Sequence, residues 1–485
     1  MLLALGACGL APAISACGRT TGAARASTTT TARASAATAD RLARRLTFAP
    51  TTADLELAHS GTDAFLDAHF DPARTDGAAA ATVRTGANQL RLLLAAGGRP
   101  VAEPQRAAQR RLATGAVLLD TVGGAAWSDR QLHALLSDFW ADHLHVALNG
   151  QPESWWVVAY DHDVVRPHAL GRFDELLAAS ARSAAMLLYL DQATSRADAG
   201  FVPNENYARE LLELHTVGRD GGYDEDDVLS AAHVLSGWST VPTDGTFVFR
   251  ARRHDLGPAV GDDILGFRAT DSGVADGDGL LHHLAHLPAT ARYVCWRLAL
   301  RLVGDHVEPD DQVVTAAAGE FRANGTSVEA AVRSLVGSPE FADAPDVSRR
   351  PLDLVAAYLR TGAAPPRQEQ LEPLAERLYA TLQGLGQTPY GWPSPDGYPL
   401  RGAPWTTPGG LVARWNAAVA GATGFGVLAA APGTGADSSP ADTAATLLGA
   451  DPEPALRQAL AQLGRDPDPV AVRAVVMASP QFGVR

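Results

Sequence analysis

From Asp40 onward most of the chain repeats its apolar residues with the period of an α-helix, about 3.6 residues, and strand-like alternation is scarce. A stripe of that period has to be buried against another helix, so the pattern confines the chain to helix-on-helix packing. The fold class expected is mainly α: a multi-helix globular domain with at most a small β-hairpin. Helix starts and stops are marked along the way. Ser128-Asp129-Arg130-Gln131 reads as a capping box ahead of Leu132, Leu135, Leu136, Phe139, Trp140, His143 and Val146. Pro167 suits a first helical turn, ahead of an amphipathic run to about Leu190. Asp224 and Asp227 bracket the start of a helix ending near Gly237-Trp238, and helical runs resume from Gly279 to Arg301, from Asp311 to Val336 and from Leu352. The best candidates for the hairpin are Phe247-Val248-Phe249-Arg250 and Asp263-Ile264-Leu265-Gly266. Thr388 to Pro399 is too rich in Pro and Gly for a helix and reads as an ordered, aromatic loop. The runs from Leu335 to Phe341 and from Val476 to Phe482 echo each other, as two helices ended by the same turn chemistry would.

The 485 residues, 46% of them hydrophobic, suffice for a large buried core. Residues 1–17 read as an export leader ending in Ile14-Ser15-Ala16-Cys17, which is similar to a lipoprotein processing box; its missing basic start suggests an upstream start codon. Residues 18–39 read as a disordered Thr/Ala/Ser-rich tether, and residues 40–485 as one large helical domain with a candidate inner boundary at 431–440. The expectation is an exported protein, secreted or anchored to the cell envelope, touching membrane only through the leader or a lipid anchor. The net charge of −14 and the lack of a basic stripe argue against a nucleic-acid partner. All 40 basic residues are Arg, which excludes Schiff-base lysines, a P-loop lysine and a Ser–Lys dyad. Of three cysteines, Cys8 and Cys17 fall in the leader, leaving Cys295 unable to build a disulfide framework or a thiolate zinc site.

Chemistry-bearing residues concentrate from Asn204 to Thr216, with Asn204 as N-cap and Gly218 as the stop. At 100° per residue Glu205, Asn206, Arg209, Glu210 and Glu213 share a polar stripe of roughly 140°, while Tyr207, Leu211, Leu214 and His215 face the other way. The pairs Glu205–Arg209 and Arg209–Glu213 can lace that stripe at about 0.3 kcal/mol each, so a solvated face and an acid–base face both fit the pattern. On the helix after Ser128, His143 points inward with Leu136 and Phe139, whereas Asp138, Asp142 and His145 point the other way. Two inward histidines on neighbouring helices would give a core pair, an acid–base pair or a metal pair. No metal-ligand spacing supports the last: there is no His-Glu-x-x-His, and Glu210-x-x-Glu213 lacks the histidine of a di-iron helix. The acids from Asp220 to Asp227 lack calcium-loop spacing and suit a helix N-terminus instead. A second polar concentration is Asp161-His162-Asp163 with Arg166, His168 and Arg172, in which the arginines can clamp an anion and His168 can carry a proton. His254-Asp255 is a weaker candidate. No nucleophile elbow, phosphate loop or dinucleotide fingerprint occurs.

Phe139-Trp140 with Asp142-His143, Arg166-Pro167-His168-Ala169-Leu170-Gly171-Arg172-Phe173, the Asn204 to Thr216 helix, Asp220-Gly221-Gly222-Tyr223, Ser236-Gly237-Trp238, His254-Asp255, Gly391-Trp392-Pro393 and Pro395-Asp396-Gly397-Tyr398 together resemble the bacterial family "domain of unknown function 1800". The resemblance runs in order from about Arg41 to the end. It implies an exported protein, often with a twin-arginine leader, commonly encoded beside a protein of the similar family "domain of unknown function 1501", the candidate partner. It assigns no activity and no cofactor. Three departures stand out: Asp142 where the family usually has Asn, Leu144 where it has Phe, and Ala259 where a Lys usually follows Gly-Pro.

Two functions fit these residues. One is an extracytoplasmic enzyme, a hydrolase or lyase acting on a glycan-like or anionic substrate in a helix-lined polar pocket. Glu210 or Glu213 would be its general acid or base, His143 and His215 its proton shuttles or ligands, and His168 a further shuttle. Arg166, Arg172, Asp161, Asn204, Asn206, Arg209 and Trp392 would bind, with Tyr390 and Trp238 adding stacking faces. The other is a non-catalytic exported scaffold in which the polar stripe is structural.

Overall fold

Helical periodicity is realised along most of the chain, whose computed structural model describes residues 26–97, 103–148, 155–256, 263–435 and 437–485. The leader, the first part of the tether and Ala259 lie outside the described residues. Contacts divide the chain into residues 1–38 and residues 39–485, and every contact discussed below is made within the second unit. A helix, Ala26–Leu46, begins inside the stretch read as a tether. Its alanines favour helix strongly, and that propensity is a factor the low content of large apolar residues did not reveal. Among the described residues no helix is long and apolar enough to cross a membrane.

The one sheet among the described residues is a two-stranded antiparallel pair, Trp238–Thr240 with Phe247–Phe249, in the register Trp238↔Phe249. The strand at 247–249 was anticipated, but its partner differs. Residues 263–267 close on themselves through a bridge between Ile264 and Phe267, with Leu265 and Gly266 at positive φ. The true partner follows directly on the Glu225–Leu235 helix, where Gly237, at φ +80°, turns the chain out. A side chain there would stand 2.8 Å from the Arg250 carbonyl. The Ser128 box also resolves differently. Ser128 Oγ accepts from the Arg130 amide at 2.9 Å and Gln131 Nε2 donates to the Ser128 carbonyl at 2.8 Å, so the reciprocal amide cap is not made and the helix spans Gln131–His143. The reciprocal box does form at Asp224 and Asp227. The echo from 335 and 476 holds in structure: Ser338 and Ser479 each accept the amide three residues on, from Phe341 at 3.1 Å and Phe482 at 3.2 Å.

The main apolar core draws on residues from Ala39 to Phe482, and a smaller cluster gathers Val83, Ala87, Leu119, Leu371 and Ala375. Two helices at the centre of the main core are buried on nearly every side: Gln131–His143 and Pro351–Gly362, where Arg360 alone is not fully buried. A helix without a solvent face still carries polar side chains, and each must find a partner inside. Asp138 and Asp142, expected to point away from the core, are therefore buried as well, at 7% and 5% exposure. Their partners are Arg301, on the Pro288–Leu302 helix, and Arg350. Arg350 meets Asp142 at 2.6 Å and also bonds Asp138, while Arg301 reaches Asp138 at 3.2 Å. The same guanidinium clasps Asp353 through Nη1 and Nη2, two bonds of 2.8 Å, and Arg485 stands 3.8 Å from Asp353 while donating to the Arg301 carbonyl at 2.9 Å. Three guanidiniums thus face three carboxylates in the core. Burial pushes the Asp138 carboxyl up, against the pull of Arg350 and Arg301. Burial acts on Asp353 in the same sense, but Arg301 and Arg485 hold it far below the usual carboxylate range.

Candidate functional site

Two places collect the polar residues singled out in the sequence. The first is a recess beside the buried network. Wide, π-type helical turns at Leu119–Gly123 and Tyr160–Val165 form its walls, and such turns often mark functional positions. Asp161 takes Arg166 Nε at 2.6 Å and the Tyr390 hydroxyl at 2.9 Å, and Arg166 also donates to Thr121 at 3.1 Å. The loop from Thr388 to Pro399 closes the recess, ordered as anticipated. It docks on the end of the Gln131–His143 helix: Leu148 donates to the Tyr390 carbonyl at 2.7 Å, His145 Nε2 lies 2.8 Å from the Trp392 carbonyl, and the Tyr398 amide reaches Asp142 at 3.3 Å. Gly397 permits this approach, since a Cβ there would meet the Asp142 carbonyl at 2.1 Å. Only a small cleft of about 10 Å³ remains between Asp138, Asp142, Asp161, Arg166, Tyr390 and Tyr398, room for about one water. Arg166, expected as an anion clamp, has its guanidinium taken by Asp161, and the recess acts as a charge-paired joint between helices.

The second place is the outer face of the Asn204 segment. Asn204 Oδ1 caps the Asn206 amide at 2.9 Å, and the helix runs Asn206–Glu210 before widening into a π-type segment, Leu211–His215. Tyr207, Leu211, Leu214 and His215 are buried, as the period requires. Arg209 pairs with Glu205 at 3.0 Å as anticipated, but not with Glu213. It turns instead to Glu225 at 2.7 Å, while Glu213 takes Arg219 Nε at 2.6 Å and the Tyr223 hydroxyl at 3.3 Å. The widened turn shifts Glu213 off the 100° spacing that would have set it below Arg209.

Glu210 is left between them. Among the described residues its carboxylate makes no ion pair, and it is half-buried. Burial raises its pKa, and the neighbouring charges of Glu213 and Asp396 raise it further, against Arg209. Tyr189 stands in the same field: burial, Glu210 and Asp396 push its phenol up to about 12, and its hydroxyl donates to the Pro393 carbonyl at 3.1 Å. Asp396 Oδ1 accepts from Trp392 Nε1 and Ser394 Oγ, each at 2.8 Å. The half-buried Trp392 therefore belongs to this face. The result is an aromatic-edged acidic surface in which one carboxyl is raised above its ordinary value.

The other candidates stand elsewhere. His143 and His215 meet, but through the backbone: His143 Nε2 lies 3.1 Å from the His215 carbonyl, and both rings are 1% exposed. Burial drives both down, helped by Arg297, with His215 at about 3, so both are neutral. His143 packs among Phe139, Trp140, Phe173 and Tyr293. His168 Nδ1 is 2.7 Å from the Val164 carbonyl, and Arg172 is taken by Asp174 at 3.0 and 2.7 Å. Two expected stacking faces are absent: Trp238 is fully buried against Phe247, and Tyr390 is 4% exposed. Residues not singled out as site candidates in the sequence are Arg301, Arg350, Asp353 and Asp396. Asp396 had a signal, its place beside Trp392 in the Pro/Gly-rich loop, whereas the buried arginines had none.

A family model described as "Protein of unknown function (DUF1800)" matches residues 41–484. No curated protein and no solved structure matches the chain.

Proposed function

Starting from the chain's membership of this family of proteins of unknown function, we propose that it is an exported glycoside-hydrolase-like enzyme whose working face is the edge formed by Glu210, Asp396, Trp392 and Tyr189. The observation that carries the reading is Glu210: half-buried, raised above its ordinary value and free of an ion pair among the described residues. A half-buried carboxyl with a raised pKa is the kind of group that works as a general acid. Asp396 keeps Oδ2 unengaged among the described residues and would activate a water as base. In the reaction Glu210 gives its proton to the leaving oxygen as the C–O bond breaks, and the water, losing a proton to Asp396, supplies the new hydroxyl. Trp392 offers a ring for a sugar face to stack on.

The charge of the face selects the substrate. Arg166, Arg172, Arg209 and Arg219 are all paired to carboxylates, so none of these four guanidiniums is left free for an anion, and Glu210, Glu213 and Asp396 repel one. A neutral, polyhydroxylated chain is the class that fits. Export is part of the proposal and rests on the apolar start with its Cys17 box. The test is the release of new reducing ends from a panel of soluble neutral polysaccharides. Glu210→Gln should reduce release at least 100-fold, within the usual contribution of a general acid, with melting unchanged. Failure of the wild-type chain to cleave or bind any member of the panel would defeat the reading.

A second reading, a non-catalytic partner of another exported protein, is favoured by one observation. On the Pro408–Ala422 helix Leu411, Val412, Trp415 and Val419 are 43–53% exposed, a wide apolar stripe for a surface helix. A member of the family "domain of unknown function 1501" is the partner to test, and co-purification lost in Trp415→Glu would support this reading.

A further inference from the structure

Away from that face, three side chains from two packed helices converge at the surface. Helix Val274–His286 carries His282 and His286, one turn apart, with ring centroids 4.2 Å from each other. Asp174, in the first turn of helix Phe173–Arg182, faces them: its Oδ2 lies 3.9 Å from His282 Nδ1 and 3.7 Å from His286 Nε2. These separations exceed a hydrogen bond, so the groups converge without satisfying one another. Donors sharing a tetrahedral Zn²⁺ at ~2.0–2.2 Å stand roughly 3.4 Å apart; the two separations to Asp174 are close to that, and all three donor atoms lie within 4.8 Å of one another.

Local bonding prepares two of the three donors. His286 Nδ1 sits 2.8 Å from the His282 carbonyl, which can only accept. Nδ1 therefore carries the proton and Nε2 presents its lone pair, as in metal-bound histidines. Asp174 is held by its other oxygen: Oδ1 takes Arg172 Nε at 3.0 Å, the Thr326 hydroxyl at 3.0 Å and the Glu175 amide at 2.9 Å. Oδ2 takes Arg172 alone, at 2.7 Å, and so keeps a lone pair.

We propose that His282 Nδ1, His286 Nε2 and Asp174 Oδ2 bind a borderline divalent d-block cation of the Zn²⁺ class, with water completing the shell. Two imidazoles and one carboxylate suit Zn²⁺, Co²⁺ or Ni²⁺, whereas Ca²⁺ and Mg²⁺ require oxygen-only shells. Exposure of His282 and the charge of Arg172 make the site one of moderate affinity. Its effect is structural, joining the two helices by a link the folded chain alone provides, and it is independent of the Glu210 face. The sequence carried the signal in His282-x-x-x-His286, the i,i+4 spacing of two ligands on one helical face.

The test uses the full chain, made without a histidine tag and stripped with chelator, titrated with ZnCl₂ by calorimetry and melted with and without Zn²⁺. Expected are one saturable site per chain, a Zn²⁺-dependent rise in Tm, and no response to Mg²⁺. The double variant His282→Gln/His286→Gln should bind at least ~10-fold more weakly and lose the rise. Changing His59 and His162 to Gln, both exposed and elsewhere, should preserve both responses. No saturable uptake by the wild-type chain at sub-millimolar Zn²⁺, or equal uptake by the double variant, would overturn the proposal.

Discussion

Single side chains separate two kinds of carboxyl in this protein. Asp353 is fully buried and holds Arg301 through two bonds, so removing its charge leaves the buried guanidinium with only its longer bond to Asp138. Asp353→Asn should cost about 3–5 kcal/mol in urea unfolding, the range found when one partner of a buried pair is lost. Glu210 has the opposite balance. Its ionised form is disfavoured by burial and by Glu213, so Glu210→Gln should leave melting at pH 7 unchanged or slightly raised. A matching loss in both variants would mean that Glu210 belongs to the structural network. At this scale the sequence was half legible. The inward turn of His143 and His215 follows from their helical phase. The burial of Asp138 and Asp142 does not, because the arginines that neutralise them lie 163 to 212 residues away. A helical wheel shows which side is apolar, but not that the polar side is packed as well.

Helix identity was readable from the period, and the strand at Phe247–Phe249 from its composition, but the three wide turns were not. A π-type turn changes the angular step without changing the residues, so Glu213 moves away from Arg209 although i,i+4 spacing is kept. The loop from Thr388 to Pro399 was readable as ordered, but its docking was not, because it depends on Asp142 and His145 from a distant helix. Gly397 makes the docking testable. It sits at φ +69° and any Cβ would strike the Asp142 carbonyl. Gly397→Ala should lower stability by about 1–3 kcal/mol and raise hydrogen exchange in residues 388–399 first, since both positive φ and overpacking penalise a side chain there. Unchanged exchange in the loop would show that it reaches its place without this contact.

For the whole molecule, buried histidines set the acid limit. His69, with neither ring nitrogen bonded among the described residues, is pushed down to about 4 chiefly by burial, and His215 to about 3. Their folded pKa values lie below the unfolded value of 6.5, so below that pH the unfolded chain takes up protons that the folded chain refuses. Stability therefore rises with pH between about 4 and 6.5, by up to about 1.4 kcal/mol per pH unit for each such histidine, and levels off above. Melting should drop by several degrees from pH 7 to pH 5, and His69→Leu should flatten the drop. Glu210 works in the other direction, its raised pKa removing stability as pH climbs through its folded value, and its partial exposure keeps that effect small. The account as a whole rests on this carboxyl holding its proton to higher pH than an ordinary glutamate. The direct measurement is a ¹³C NMR titration of the glutamate carboxyls in the full chain, with Glu210 assigned by its loss in Glu210→Gln. A midpoint clearly above the ordinary value of about 4.3 is predicted. A midpoint at or below it would contradict the proposal that this face is built for acid–base chemistry.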